Sequence, residues 1–274
     1  MKLIKQDLLK HIVLILAGVL TFYPFVFEIQ TSFKSSYQFQ HEFWLPSWPP
    51  EPLNYVDAFD RIWPYLVNSF VVSGLSVIGV LVLASLSAYT FARFDFPGRE
   101  FLFMLILGLL MIPGILTLVP RFLLIRDMKL IGTRGALIIP YIAGGQVFAI
   151  FILRSFIASL PEELFEAARI DGASNLRIFF SIAMPLCKSI LVTIAVMNIL
   201  GTWNDFVWPL ITLPDSKLWT ITVGVVNFTG YFQGLEAWGP MFAGYVIASI
   251  PLIVLFVFTM RAFISGLTSG AIKA

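Results

Sequence analysis

Charge is what this sequence has least of. Asp, Glu, Lys and Arg make up 12% of its 274 residues, where a soluble globular chain carries about 25%. So few charges cannot clothe a water-exposed surface. Cysteine is nearly absent, and with Cys187 alone there is no intrachain disulfide. Histidine is represented only by His11 and His41, so no dedicated His/Cys metal cluster is available and no metal site is expected. A G-x-x-x-x-G-K-[ST] loop is missing, and no nucleophile and base form a pair that would mark a catalyst. No catalytic residue is therefore expected, and the chain reads as a non-enzyme. With a net charge of +2 and its Lys and Arg spread between apolar stretches, nucleic acid is not an expected partner.

Apolar residues fill the space that charge leaves. They make up 58% of the chain, with 27 Phe and 7 Trp, and mean hydropathy reaches +0.89. Lipid-facing walls need apolar side chains as much as a core does, so the lipid bilayer is the expected surroundings. Six stretches, about 12–29, 66–91, 101–119, 135–156, 189–213 and 241–263, approach the ~20 residues that cross a hydrocarbon core as helix. All exceed the roughly 10 residues of a barrel strand, which predicts an all-α polytopic protein. One transmembrane domain over 1–274 is expected, without internal repeat or soluble domain. The basic start, Lys2 to Lys10, precedes an apolar run too long for a signal peptide and without a small-residue cleavage pattern, so it reads as a retained first span.

Both termini in the cytoplasm would put Lys2, Lys5, Lys10, Arg93, Arg99, Arg154, Arg169, Arg177, Lys188, Arg261 and Lys273 inside, the side that favours Lys and Arg. Against this, Arg121, Arg126, Lys129 and Arg134 cluster in one outer loop. The first outer loop, 30–65, carries Trp44, Trp48, Trp63 and five prolines between Pro46 and Pro64, which forbids a continuous helix. Its aromatic rings would anchor at the membrane interface or hold a partner protein. In the second span Ser69, Ser73, Gly74, Ser76, Gly79, Ala84, Ser85 and Ala88 suit close helix packing or a hydroxyl-lined path.

The most organised polar stretch is 159–185, SLPEELFEAARIDGASNLRIFFSIAMP. Pro161 followed by Glu162 and Glu163 opens a helix, and Gly172 sits where a left-handed cap ends it. Ser174 caps a second helix with Leu176, Phe179, Phe180 and Ala183 on one apolar face, which Pro185 stops. On the first helix Leu160, Leu164, Ala167 and Ala168 share a face and leave Glu162, Glu166 and Arg169 to water or a partner. The expected unit is helix, glycine turn, helix, lying on a membrane surface or docking to a partner.

Glu166-Ala167-Ala168, then Asp171-Gly172-Ala173, then Ile182 and Pro185 resemble the EAA loop of importer-type ABC transporter permeases. Asn54-Tyr55, Asn68-Ser69-Phe70, the run Ala88 to Phe94 with Phe96-Pro97-Gly98-Arg99, Trp203-Asn204-Asp205-Phe206 with Pro209-Leu210, and the ending Gly266 to Lys273 are similar to the carbohydrate group of that family, related to the maltose-type inner-membrane permeases. Ser189 departs from it where many members have a second Pro. The resemblance implies a bacterial cytoplasmic-membrane permease subunit for a carbohydrate or related polar solute. The implied partners are a second permease of similar fold, two cytoplasmic ATPase subunits and an extracytoplasmic solute-binding protein. No cofactor is expected on this chain, since ATP and Mg would be bound by the ATPase. The loop residues Glu166, Ala167, Ala168, Arg169, Asp171, Gly172 and Ala173 would make a cytoplasmic coupling element that fills a cleft of the ATPase.

Polar groups inside spans are costly unless they face protein or a water-filled cavity. Asn198, Asn204 and Asp205 are therefore pathway candidates, with Asp205 read either as a gating residue or as a helix-end residue. Trp203 would stack on sugar rings or anchor at the interface. Pro140, Gly144 and Gly145 would interrupt the fourth span beside a cavity lined by Gln146, or else let helices pack closely. The competing class, a secondary transporter driven by an ion gradient, would need membrane-core carboxylates and often an inverted repeat. The chain has almost none of the first and no visible instance of the second.

Overall fold

The computed structural model describes the backbone of residues 2–234 and 236–271 and the side chains of residues 10–234 and 236–260. The side chains of Lys2, Lys5 and Arg261, and the terminal run 266–273, lie outside the described side chains. The described elements are all helical: α1 (Lys2–Ser32), α2 (Ser36–His41), α3 (Asn54–Arg93), α4 (Arg99–Gly108), α5 (Leu118–Asp127), α6 (Gly135–Ala158), α7 (Glu162–Ile170), α8 (Asn175–Ile178), α9 (Met184–Leu186), α10 (Lys188–Asn204), α11 (Val207–Thr212), α12 (Ile221–Gly234) and α13 (Trp238–Ala271). Four are long and apolar enough to cross a membrane: Lys10–Ser32 of α1, α3, α6 and Trp238–Met260 of α13. Two bent pairs bring the number to as many as six. Along α1 the apolar side chains from Ile12 to Ile29 are mostly exposed, an arrangement that suits hydrocarbon and not water.

Several boundaries differ from expectation, each for a local reason. The stretch 101–119 is not one straight span, because Arg99–Met111 and Gly114–Asp127 meet at 95°. Pro113 lacks a backbone donor and drives the residue before it out of helical geometry, and Ile112 is accordingly extended, with φ −83° and ψ 114°. The stretch 189–213 breaks after Asn204, where Asp205 is extended. Short polar side chains favour such a break because they bond nearby backbone in place of the helix ladder. Within the loop 30–65, residues 54–65 are helical and α3 runs on through Pro64. The Asn54 amide donates to the carbonyls of Ser32 (2.9 Å) and Lys34 (3.0 Å), which ties this early start in place. Residues 221–234, which lie outside all six expected stretches, form α12.

The chain divides into two compact units. The first comprises Met1–Leu66 and Gly224–Pro251. Here Gly224 and Gly244 leave no room for a Cβ, against the rings of Tyr65 and Phe228 respectively, so α12 lies close to α3 and α13. In the same unit the buried Lys34 amine donates to the carbonyls of Glu42 (2.5 Å) and Phe43 (3.0 Å). Burial pushes this amine below the ordinary lysine range, with Glu42 opposing the shift.

The second unit, Val67–Val223 with Leu252–Ala274, holds two apolar clusters. The larger joins Val80, Ala84 and Ala88 of α3, Ala149, Leu153 and Ile157 of α6, Phe165 of α7 and Ile190 and Ile194 of α10. Pro140, Gly144 and Gly145 do not interrupt α6, contrary to the cavity-lining expectation. Gly145 instead lets backbones approach: a Cβ there would overlap the Asn198 amide and Val80, and one at Gly79 would overlap Ile142. Gly144 faces open space. The Gly145→Ala variant should consequently lose about 1–3 kcal/mol through overpacking, while Gly144→Ala should match the parent or exceed it slightly. Thermal unfolding of the detergent-solubilised protein checks this, and equal melting temperatures for the two would contradict the packing.

Candidate functional site

The 159–185 segment folds as helix, glycine turn, helix. Two glutamates in the first turn of α7 and Arg169 in its last complement the helix dipole. Past its end the backbone reverses through Gly172 at φ +75°, a conformation that glycine adopts without penalty. The turn closes with the amides of Asp171, Gly172 and Ala173 donating to the carbonyls of Ala167, Arg169 and Ala168, each at 3.0 Å. Ser174 Oγ then accepts from the Arg177 amide at 3.4 Å, capping α8 as the sequence predicts.

Which faces are buried differs from the expectation. On α7 the buried side chains are Phe165 and Ala168, and Leu164 and Ala167 are exposed. On the second helix Ile178, Phe179 and Ala183 are buried, while Leu176 and Phe180 stand out at 66% and 65% exposure. A π-helical turn spans Phe179–Ala183, but Leu176 lies before it and Phe179 and Ala183 keep the i, i+4 spacing, so the buried face is the one that includes Ile178 in place of Leu176. Pro185 does not stop the helix; α9 contains it and ends at Cys187. The outer surface of the loop therefore presents Leu164, Ile170 (86% exposed), Leu176 and Phe180 among Glu166, Arg169 and Asp171.

Beneath this surface the loop is held by a residue to which sequence reasoning assigned no contact, only an inside charge and a place in the run Ala88 to Phe94. Arg93, the last residue of α3, has a side chain 6% exposed and forms an ion pair with Glu162. It also donates to the carbonyls of Ile157 (2.8 Å) and Leu160 (2.9 Å), and its guanidinium lies 3.7 Å from the centroid of the Phe165 ring. Glu162 takes a second partner, Arg169, at 3.3 Å. Both members of that second pair are about half exposed, which limits it to roughly 0.2–1 kcal/mol. Arg93 is buried while Glu162 is half exposed, so a guanidinium donor left without its acceptor would cost about 1–3 kcal/mol. The signal available in the sequence was position: Arg93 ends the longest small-residue helix and precedes the Phe94 to Arg99 turn.

The pathway candidates are not gathered at one point. Asn198 donates to Ile194 O (3.0 Å) and packs against Gly145. Asn204 is exposed and donates to Leu200 O (2.8 Å). Trp203 is buried with its ring edge on Phe70, and Trp208 is buried with Nε1 donating to Ala136 O, so neither presents an open ring for stacking. Gln146 has its amide nitrogen buried without a partner. Asp205 holds the break between α10 and α11: its carboxylate accepts from the Tyr141 hydroxyl (2.9 Å) and the Trp208 amide (3.2 Å), and Arg121 stacks on Trp208 at 3.8 Å. Tyr141 and Arg121 were missed because they lie on other helices. Among the described residues no His, Cys, Asp and Glu cluster could hold a metal ion.

Residues 80–269 match the family described as "Binding-protein-dependent transport system inner membrane component". The probable ABC transporter permease protein YurM of Bacillus subtilis (strain 168) is 36% identical over 254 residues, covering 92% of this chain and 83% of that protein. The trehalose/maltose transport system permease protein MalG of Thermococcus litoralis is 32% identical over 285 residues, covering 98% and 99%. In fold the chain is similar to one in the crystal structure of a bacterial ABC transporter involved in the import of the acidic polysaccharide alginate, with a TM-score of 0.83 at 21% identity over 94% and 96% of the two chains.

The Asp205 geometry yields a test independent of any partner. Asp205→Ala leaves the Tyr141 hydroxyl unpaired and should cost about 1–3 kcal/mol. Adding Tyr141→Phe should then cost less than its effect alone, with a coupling of about 0.5 kcal/mol or more. Strict additivity of the two in thermal unfolding would mean that the hydroxyl and the carboxylate do not interact.

Proposed function

The chain belongs to the family of binding-protein-dependent transport system inner membrane components, and on that premise we propose that residues 159–185 seat in a cleft of a cytoplasmic ATPase. It is a permease subunit of an ABC importer for sugars or related solutes, and ATP hydrolysis occurs in partner ATPase subunits. One observation carries the docking proposal. Leu164 and Ile170 of α7, and Leu176 and Phe180 on the arm Asn175–Leu186 that bends into α10, are exposed on a loop that is packed firmly from beneath. Large apolar side chains grouped on a polar loop call for a cover, and Glu166, Arg169 and Asp171 supply charges that would orient it.

In this reading ATP and Mg bind the ATPase, two copies of which serve this chain and a second permease of similar fold. A solute-binding protein delivers solute from outside, as the family description supports. The two compact units act as one transmembrane domain, with both termini and the loop in the cytoplasm. Among the pathway candidates Asp205 is supported best, because it sits at a helix break, where irregular backbone is tolerated if it is covered by protein or lines a cavity.

Orientation is checked by single cysteines placed in a Cys187→Ser background at exposed sites. Ile170→Cys should react with an impermeant maleimide only after the cells are opened, and Leu45→Cys should react in intact cells. The reverse pattern would invert the topology.

Coupling is checked with Gly172→Val and Glu166→Lys. A Cβ at Gly172 meets open space, so valine there acts through its unfavourable positive φ alone, about 1–2 kcal/mol, and should misplace the turn without expelling the chain from the membrane. Lysine at 166 reverses a charge on the docking surface. Both variants should reach wild-type membrane levels yet lose uptake and solute-stimulated ATP hydrolysis. Wild-type uptake by both, with the ATPase still co-purifying, would end this assignment.

A further inference from the structure

The last turn of α3 grips the coupling loop twice. The Tyr89 ring meets Phe179 edge-on at 5.3 Å between centroids, and Arg93 binds Glu162, Phe165 and the two carbonyls at 157 and 160. About 37 Å away along the same helix, by the 1.5 Å rise per residue, α3 holds the segment that follows α11. The Asn68 amide donates to Lys217 O (2.7 Å) and Trp219 O (3.1 Å) and accepts from Arg134 (2.8 Å). Ser69 Oγ accepts from the Ile221 amide (2.8 Å), and the Ser73 and Thr202 hydroxyls bond at 2.9 Å. These contacts all lie within the second compact unit.

We propose that Arg93 is a positioning residue for coupling, the joint through which movement of α7 enters α3. Three facts select it over its neighbours. Its contacts reach α6, α7 and Leu160 between them, so α7 cannot shift while Arg93 stays still without breaking several bonds at once. A guanidinium offers its donors in a rigid planar fork, which fixes direction as well as distance. The helix behind it moves as a unit, because packed elements shift as rigid bodies, and the two arrangements of α7 that an ATPase would impose are thereby passed to the Asn68 end. The Arg169 pair with Glu162 lacks this reach, being half exposed and confined to α7.

This inference rests on the proposed docking of the loop, and the test separates the two. The full complex is reconstituted with its ATPase, second permease and sugar-loaded solute-binding protein, and the ratio of stimulated to basal ATP hydrolysis is measured. Arg93→Met, which keeps bulk over Phe165 but removes every donor, should lower that ratio about tenfold while the ATPase co-purifies in the wild-type proportion. Arg93→Lys, which keeps charge and loses the fork, should fall between. A ratio within about twofold of wild type for Arg93→Met, alongside its loss in Gly172→Val, would overturn the joint and leave the docking intact. Wild-type ratios in Gly172→Val and Glu166→Lys as well would overturn the docking itself. Should Arg93→Met fail to accumulate, Glu162→Gln decides, since it alters a side chain that is 49% exposed: a several-fold loss with normal assembly supports the joint, and a wild-type ratio overturns it.

Discussion

Hydrocarbon offers a backbone no partners, so each N–H and C=O must be paired within the protein wherever the chain is in lipid. The long helices obey this by continuing through residues that would end them in water. Pro24, Pro64, Pro140 and Pro251 all sit inside helices, each giving up one ladder bond and keeping the rest. Where the chain does leave helical geometry, local groups fill the gap. At Asp205 the carboxylate takes the Trp208 amide, and at the end of α6 the carbonyls of Ile157 and Leu160 take Arg93. At these two breaks polar side chains supply the partners that the helix ladder no longer provides.

Much of this was legible in the sequence, and the exceptions have a common cause. The six spans expected stand at the upper end of the four to six that the helices allow, and the all-helical class, the Gly172 turn and the Ser174 cap were read correctly. The buried faces of the 159–185 loop were not. Periodicity groups Leu176, Phe179, Phe180 and Ala183 on one face, but in a run that is apolar on several sides tertiary packing selects the buried face, here Ile178 with Phe179 and Ala183. The Pro113 break was legible in principle, since proline expels the preceding residue from the helix, but the apolar run around it concealed the bend.

The same contrast holds for the pathway residues. Asp205 could be singled out because a carboxylate in an apolar stretch is conspicuous, yet its partner Tyr141 lies 64 positions away, and only folding brings it near. Glycines 144 and 145 are indistinguishable neighbours in sequence and opposite in the fold, one against Asn198 and Val80 and the other against open space. A 100° rotation per residue is enough to separate a packing position from a surface one.

A coupling element must satisfy two demands that ordinarily conflict. Its outer surface has to remain uncovered until a partner arrives, which costs solubility, and its inner surface has to be bound tightly enough that force does not dissipate in local rearrangement. Rim ion pairs of a few tenths of a kcal/mol cannot meet the second demand. The loop meets it by dividing its residues: Phe165, Ala168, Ile178, Phe179 and Ala183 join the core shared with α3 and α6, whereas Ile170, Leu176 and Phe180 are left outside. Because Ile178, Phe179 and Ala183 suffice to fill the contact with the core, Leu176 and Phe180 of the same short apolar run are left exposed, and on the proposed reading they join Leu164 and Ile170 as the surface that a partner would cover.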